Sequence, residues 1–416
     1  MSKIKSFLAS EVFDSRGNPT VSVVCELESG SSAVVSVPSG ASTGSHEALE
    51  LRDGDPAVFN GKGVSKVIKN INDEINEYFS GKDLNQKDFD SQLIELDGTK
   101  NKSRLGSNGT LSVSLAFAKA KASENNQELY EYVGAISNNN NFKIPFPAFN
   151  IINGGKHANS GLEIQEFMIV PVGFKTFSQR LDSAKKVVDS LHDLLSKNNL
   201  ETNLGDEGGF APKLKDNHEA LRFISESITN AGFSFDEIKI ALDCAGTSFF
   251  EDGFYKIKID GVEEKVSKES LLDYYVGLAK DFPIISIEDP FVEEDWQSFG
   301  NLLAKIGSSV NVVGDDLTVT NIERIKEAQK NSSINSVIIK PNQIGTLSET
   351  VDAVSMVKNN KWKAFASHRS GETMDTFISD IAVGLDCDYI KAGSTTKPER
   401  MCKYDRFLEI ENRLKK

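Results

Sequence analysis

The sequence predicts an α/β fold: a parallel β/α barrel preceded by a smaller α+β domain. Three observations carry that expectation. Six short apolar runs, IKIALD, PIISIED, NVVGDD, SVIIK, KAFASH and YIKAG, lead to Asp243, Glu288, Asp315, Lys340, His368 and Lys391. The steps between these residues are 45, 27, 25, 28 and 23 positions. A strand, a loop, a crossover helix and a return loop take roughly 30 residues, and parallel strands covered by helices read as continuous apolar runs. The polar stretch Ser137-Asn138-Asn139-Asn140-Asn141 has neither helical nor strand period and separates these runs from a different pattern. It sets an N-terminal domain at 1–136, a linker at 137–142 and the barrel domain at 143–416.

The elements follow in order. Thr20 to Leu27 alternates, with Val21, Val23, Cys25 and Leu27 on one face, the period of a strand. Ala33 to Val37 is its partner, reached through a Gly30-Ser31 turn. Val64, Val67, Ile68, Ile71 and Ile75 form the apolar stripe of an amphipathic helix. A second long helix, rich in Ala and Lys, runs from about Leu111 into the 120s. Past the linker, strands and helices alternate. Gln165-Glu166 follows an alternating stretch and is read as the end of a further barrel strand. Asp216 with Glu219 reads as a capping box, opening a helix through Leu221, Ile224 and Ile228 that closes near Gly232.

Three loops carry further signals. Pro38-Ser39-Gly40-Ala41-Ser42-Thr43-Gly44 is made of small residues, which suit either a surface turn or a lid whose hydroxyls reach a metal or phosphate. It lacks the GxxxxGK[ST] pattern of a nucleotide loop. Gly154-Gly155-Lys156-His157-Ala158 is a second glycine loop, carrying a histidine. Gly205-Asp206-Glu207-Gly208-Gly209 sets two acids between glycines. That setting suits a solvated turn, and equally a general acid on backbone that approaches a ligand closely.

In a closed parallel barrel all strand C-termini open onto one face. Asp243, Glu288 and Asp315 would then offer hard oxygen ligands to a divalent cation such as Mg²⁺. A lysine beside such a cation has its ammonium form disfavoured and can act as a base. A second lysine, a histidine and Arg369 suit an anionic substrate. The combination points to proton abstraction next to a carboxylate, with metal holding the resulting charge. An ordinary polar strand end explains any one of these residues. Six in series, all of types that serve one mechanism, favour the functional reading.

Composition bounds the rest. The 416 residues fit two or three domains, or one barrel with an appendage. A net charge of −14 argues against general nucleic-acid affinity, so an anion must be held by local cations and metal. Cys25, Cys244, Cys387 and Cys402 form no CxxC pair and read as core or near-core thiols of a reducing compartment. With no apolar run of the ~18 residues a membrane helix needs and no signal-peptide pattern, a soluble cytoplasmic protein is expected.

The motifs resemble those of the enolase family, over essentially the whole chain. DSRGNPT at 14–20, PSGASTG at 38–44 and EALELRDGD at 47–55 are similar to its N-terminal domain. NIINGGKHA at 150–158, QEFMIVP at 165–171 and GDEGGFAP at 205–212 follow in family order. ALDCA, SIEDPF, VGDDL, KPNQIGT and SHRSGET complete the barrel, the last two being highly specific. The resemblance implies a three-stranded antiparallel sheet with helices in the first domain. It implies an irregular barrel with an early antiparallel element in the second. It also implies Mg²⁺-dependent, reversible dehydration of 2-phosphoglycerate to phosphoenolpyruvate through an enediolate. A lysine or histidine base with one or two Mg²⁺ ions is the pattern known for the wider superfamily.

Residue by residue, the resemblance implies Lys340 as the base at carbon 2 and Glu207 as the acid at the carbon 3 hydroxyl. It implies Asp243, Glu288 and Asp315 as ligands of the tightly held Mg²⁺, and Ser42 as a lid ligand of a second Mg²⁺ that arrives with substrate. Arg369 and Ser370 match phosphate contacts, and Lys391 a carboxylate contact. His157, Gln165, Glu166 and His368 match residues lining the same pocket, and Asp316 an acid beside the metal. On physical grounds two cations and Lys391 should depress the Lys340 amine, and Glu166 should raise Glu207 by like-charge repulsion. Lys397-Pro398 stands where the family usually reads Arg-Ser, which puts the local helix start and a subunit contact in question. Family members are usually dimers or octamers. Some bind plasminogen at cell surfaces through terminal lysines, and Lys415-Lys416 ends this sequence, although a solvated tail explains such a pair as well. The alternatives are another acid-sugar dehydratase or racemase of the superfamily, and a binding-only protein on this scaffold.

Overall fold

The computed structural model describes residues 2–40 and 44–415. Strands β1 (Ile4–Phe13), β2 (Pro19–Leu27) and β3 (Ser32–Ser36) form an antiparallel sheet in the order β1-β2-β3. Val21, Val23, Cys25 and Leu27 are all fully buried, as the alternation requires. Helical turns at Ser65–Asn70, Ile71–Ile75 and Asn76–Phe79 run on from one another, the middle one a π turn. Val64, Val67, Ile71 and Ile75 are fully buried, and Ile68 packs at the edge of the same core.

The long helix begins at Ser107, four residues before the sequence suggests, and runs to Glu124. Ser-Asn-Gly-Thr reads locally as a loop, because polar residues and glycine are poor helix interiors. Here those residues are buried against their neighbours, and tertiary packing overrides propensity. Beside this helix lies Gln86–Asp97, whose Phe89 is the centre of an aromatic stack. Its ring sits 4.4 Å from both Phe79 and Phe117 and 5.7 Å from Phe7.

Eight strands close into a barrel: β4 (Phe146–Asn153), β5 (Glu166–Pro171), β6 (Ile238–Asp243), β10 (Ile284–Glu288), β11 (Asn311–Gly314), β12 (Ser336–Ile339), β13 (Lys363–Ser367) and β14 (Tyr389–Lys391). The six apolar runs are β6 and β10 to β14. A separate antiparallel sheet, β7 (Phe250–Glu251), β8 (Phe254–Ile259) and β9 (Val262–Val266), is inserted after β6, which explains the 45-residue step. Ala148, Met168, Val170, Ala241, Val313, Ile338, Phe365 and Tyr389 form their own small cluster, with nearly every strand contributing. Their strand neighbours, such as Ile240, Leu242, Ala364 and Ala366, join the larger core shared with the helices. That alternation is the barrel interior against its helical jacket.

Two expectations need correction. Glu166 begins β5 rather than ending a strand, because β5 runs antiparallel to both β4 and β6. The chain enters β5 from the mouth of the barrel, and Glu166 stands opposite Asn153 and Asp243. At the helix Asn217–Asn230, Asp216 caps the Glu219 amide, but the Glu219 carboxylate accepts from Lys215 N at 2.6 Å. Only half of the capping box forms.

The N-terminal sheet meets the barrel mouth through backbone pairs. Ser39 N donates to Gly371 O at 2.8 Å and Gly371 N to Ser39 O at 3.0 Å. A side chain at Gly371 would lie 2.3 Å from Asp14 Oδ2, so this approach requires glycine. Among the described residues no helix is long and apolar enough to cross a membrane.

Phe89→Ala should destabilise the fold by about 3–5 kcal/mol, the usual cost of emptying an aromatic core site. The measurement is a urea titration, where the midpoint should fall at unchanged slope.

Candidate active site

Each barrel strand delivers its polar residue to one end. Asp243 and Glu288 are the last residues of β6 and β10, and Lys391 is the last of β14. Asp315, Lys340 and His368 directly follow β11, β12 and β13. The reversed β5 brings Glu166 to the same end through its first residue. One cavity there is lined by His157, Gln165, Glu166, Glu207, Asp243, Asp315, Asp316, Lys340, His368, Arg369, Ser370 and Lys391. Glu288 is buried and reaches this group through Lys391. Ser42 lies outside the described residues.

The three carboxylates expected to bind metal are separated by amines. Lys391 Nζ lies 2.7 Å from Glu288 Oε2, 3.2 Å from Asp243 Oδ2 and 3.3 Å from Glu166 Oε2. The Lys340 amine pairs with Asp315, whose other oxygen accepts from Gln343 Nε2 at 2.9 Å. Among the described residues, the acidic groups that close to within 4.8 Å are His157–Glu166–Glu207 and Asp289–Asp315–Asp316. Asp243, Glu288 and Asp315 do not form one such group, contrary to the expectation of a single point. Like charges at such spacing repel, and the lysine ammonium groups stand between them.

The donor set nevertheless fits a hard divalent cation. All its candidate ligand atoms are carboxylate oxygens, and Glu288 Oε1 is buried with no hydrogen-bond partner. Four carboxylates, Asp243, Glu288, Asp315 and Glu166, face two ammonium groups, so the cluster is rich in acid.

Proton positions follow from these contacts. Burial would lower Lys340, but the neighbouring carboxylates together, Asp315 foremost and Glu288 with it, raise the amine above the ordinary lysine value. Lys391 does push it down, as expected, by less than Asp315 lifts it. Burial would also lower Lys391, yet Asp243, Glu166 and Glu288 hold it well above the usual range. Burial and Asp243 raise Glu288. Asp316 is raised to about 7 by burial and by the charge of Asp315.

The expected raising of Glu207 is reversed. Burial and the charge of Glu207 push Glu166 well up. Burial would do the same to Glu207, but His368 and His157 facing it hold it well below the carboxylate range. Glu207 Oε2 accepts from Asn150 Nδ2 at 3.1 Å and lies 3.2 Å from His368 Nε2. His157 Nδ1 lies 3.7 Å from Glu166 and 3.8 Å from Glu207. The proton of this pair therefore sits on Glu166.

Several site residues escaped the sequence reading, although most fall inside quoted motifs. Asp289, at a φ of +41°, accepts from the amides of Asp315 (2.9 Å) and Asp316 (2.7 Å) and so sets the loop after β11. Glu47 binds Arg369 through both guanidinium nitrogens, at 2.9 and 3.3 Å. A side chain at Gly40 would collide with that same guanidinium. The Lys397-Pro398 departure is accommodated. Pro398 opens the helix Pro398–Leu414, a position that suits proline, and Lys397 Nζ donates to Asp206 O at 3.1 Å.

Fold and site define a two-domain β/α-barrel protein with an acidic, amine-flanked mouth closed by an α+β unit. The chain belongs to the enolase family, which is metal-dependent: the family model for "Enolase, N-terminal domain" matches residues 4–133, and that for "Enolase, C-terminal TIM barrel domain" matches residues 141–416.

Burial holds His368 at about 4, below the ordinary histidine value of 6.5. The native ring refuses a proton that the unfolded chain accepts. This contribution to stability is therefore complete above pH 6.5 and is lost progressively as pH falls to about 4. At about 1.4 kcal/mol per unit, the loss by pH 4.5 is roughly 2–3 kcal/mol. His368→Gln keeps an amide donor and removes the titration. Its urea midpoint should fall less between pH 7 and 4.5 than that of the unaltered protein. Equal falls would assign the acid sensitivity to other groups.

Proposed function

We propose that the chain catalyses the reversible dehydration of 2-phosphoglycerate to phosphoenolpyruvate, a step of glycolysis and gluconeogenesis. One observation supports this most directly. A single cavity is lined at once by Lys340, Glu207, Arg369 and Lys391, the last three buried and Lys340 partly so, beside an acid-rich cluster. That set supplies an amine for a carbon-bound proton, a carboxyl for a leaving hydroxyl and cations for two anionic ends.

In this reading Asp315 would turn from Lys340 to the metal, and the amine, no longer held as ammonium, would release its proton to solvent. Its free lone pair then takes the proton from carbon 2. Glu207 delivers a proton to the carbon 3 hydroxyl, which leaves as water. The proton held on Glu166 supplies Glu207, with His157 within 4 Å of both carboxylates. Lys391 faces the substrate carboxylate, Arg369 and Ser370 its phosphate, and Gln165 and His368 complete the wall. Asp243, Glu288 and Asp315 would hold Mg²⁺, which when bound would offset negative charge on the substrate carboxylate. Ser42 would contribute to a second Mg²⁺ site filled together with substrate. The proposal extends to a homo-oligomer in the cytoplasm, where the four thiols, three of them buried, stay reduced.

Turnover of 2-phosphoglycerate, followed by phosphoenolpyruvate absorbance, should vanish in excess chelator and return with Mg²⁺. Undiminished turnover under chelation would overturn the metal role.

The two halves of the elimination separate by mutation. Lys340→Ala should lose both turnover and exchange of the carbon 2 proton with deuterated solvent. Glu207→Gln should lose turnover and keep some exchange. Each loss should reach about 10²–10⁴-fold, the usual worth of a positioned acid or base. Exchange at the unaltered rate in Lys340→Ala would move the base elsewhere.

A further inference from the structure

Arg400 is fully buried on the first turn of the helix Pro398–Leu414. Its ion pair with Glu399 is long, 3.9 Å. Its short contacts go to the two loops that carry Glu207 and His368. Nη2 donates to Ser370 O at 2.7 Å and reaches Asp206 O at 3.4 Å. Nη1 donates to Arg369 O at 2.7 Å and meets His368 Nδ1 at 2.6 Å.

The last contact decides a proton position. A guanidinium has donors and no acceptor. The ring nitrogen facing it must therefore present a lone pair, which leaves the His368 proton on Nε2. That nitrogen is the one 3.2 Å from Glu207 Oε2. We propose that Arg400 is a positioning residue that fixes His368 as its Nε2–H tautomer, so that the ring donates to Glu207 and holds that carboxylate in place. The ring is neutral at pH 7, since burial keeps it at about 4. Its hold on Glu207 is then that of an N–H donor with a fixed positive charge behind it. Simple tethering of the loops needs only the carbonyl contacts and would leave the tautomer free.

The effect on turnover rests on the reading of Glu207 as the acid at carbon 3; the tautomer does not. With ¹⁵N-histidine, the folded protein has five histidines to resolve, and His368 is assigned by the signals missing in His368→Gln. At pH 7.5, Nδ1 should resonate as an unprotonated nitrogen and Nε2 as a protonated one. The opposite pattern, or an imidazolium, overturns the proposal whatever the variants do. Arg400→Lys keeps a donor-only partner and should keep the tautomer. Arg400→Gln offers an amide oxygen that accepts, and should admit the Nδ1–H form. It should also lower dehydration by up to about 10²-fold, the scale of a small misplacement of a reacting group. Carbon 2 exchange should persist, and Arg400→Lys should recover most of the turnover. Loss of turnover in Arg400→Gln with His368 still wholly Nε2–H would reduce Arg400 to a loop tether and overturn the inference. If Arg400→Gln fails to fold, the tautomers of the unaltered protein and of Arg400→Lys decide. An Nε2–H ring in a protein inactive on 2-phosphoglycerate would sink the proposed reaction and leave the positioning role standing.

Discussion

Four carboxylates and two ammonium groups share one buried barrel mouth, and their mutual balance is the constraint on which the site depends. Removing either ammonium group from such an acid-rich cluster leaves buried carboxylates uncompensated, at a cost of several kcal/mol. The scaffold holds the balance by placing each charge on a different strand end. Strand spacing then fixes the distances, and the helical jacket fixes the strands. Asp289 and Gln343 add a second layer, fastening the Asp315 loop by its amides and its free oxygen. The protonation pattern is a product of this crowding: Glu166 and Glu288 are driven up, while Asp315 is held down by the lysines that outweigh its burial.

Much of this was legible in the sequence because it depends on period. Apolar runs at regular intervals gave away β6 and β10 to β14, and alternation identified the buried face of β2. What escaped depends on direction and neighbourhood. An alternating strand reads the same whether it runs up or down, so periodicity could not show which strand is reversed; the resemblance implied an early antiparallel element but did not place Glu166 at its start. The start of the helix at Ser107 was masked because its polar first turn is held by burial and by hydrogen bonds to a distant segment, Asn108 with Leu51 and Ser107 N with Leu49 O. The direction of the Glu207 shift was missed because two histidines, from distant segments, face it. Asp289, Glu47 and Arg400 are visible as letters, but their roles exist only once separate loops meet.

The loop carrying Glu207 shows how thoroughly one acid can be surrounded. Thr396 Oγ1 donates to Gly208 O at 2.7 Å, Ser394 N to Glu207 O at 2.9 Å, and Lys397 to Asp206 O at 3.1 Å. Asn153 Oδ1 accepts from Gly209 N at 3.1 Å. Glycine is needed at 205 and 209 because a side chain at either would meet Asn153. A loop rich in glycine is thus held rigidly by its surroundings. Its composition reflects crowding rather than freedom.

The pairing of Arg369 with Glu47 joins the two units in a way that bears on ancestry. The barrel contributes a buried guanidinium, and its counter-charge belongs to the other unit, across a seam that also needs glycine at 40 and 371. Neither partner can change alone without stranding a charge out of water. A gene that exchanged one half with a distant cousin would inherit a mismatched seam at the rim of its candidate active site. The two halves are therefore expected to change together at this seam, with residue 47 of the first unit constrained by the guanidinium it must neutralise in the second.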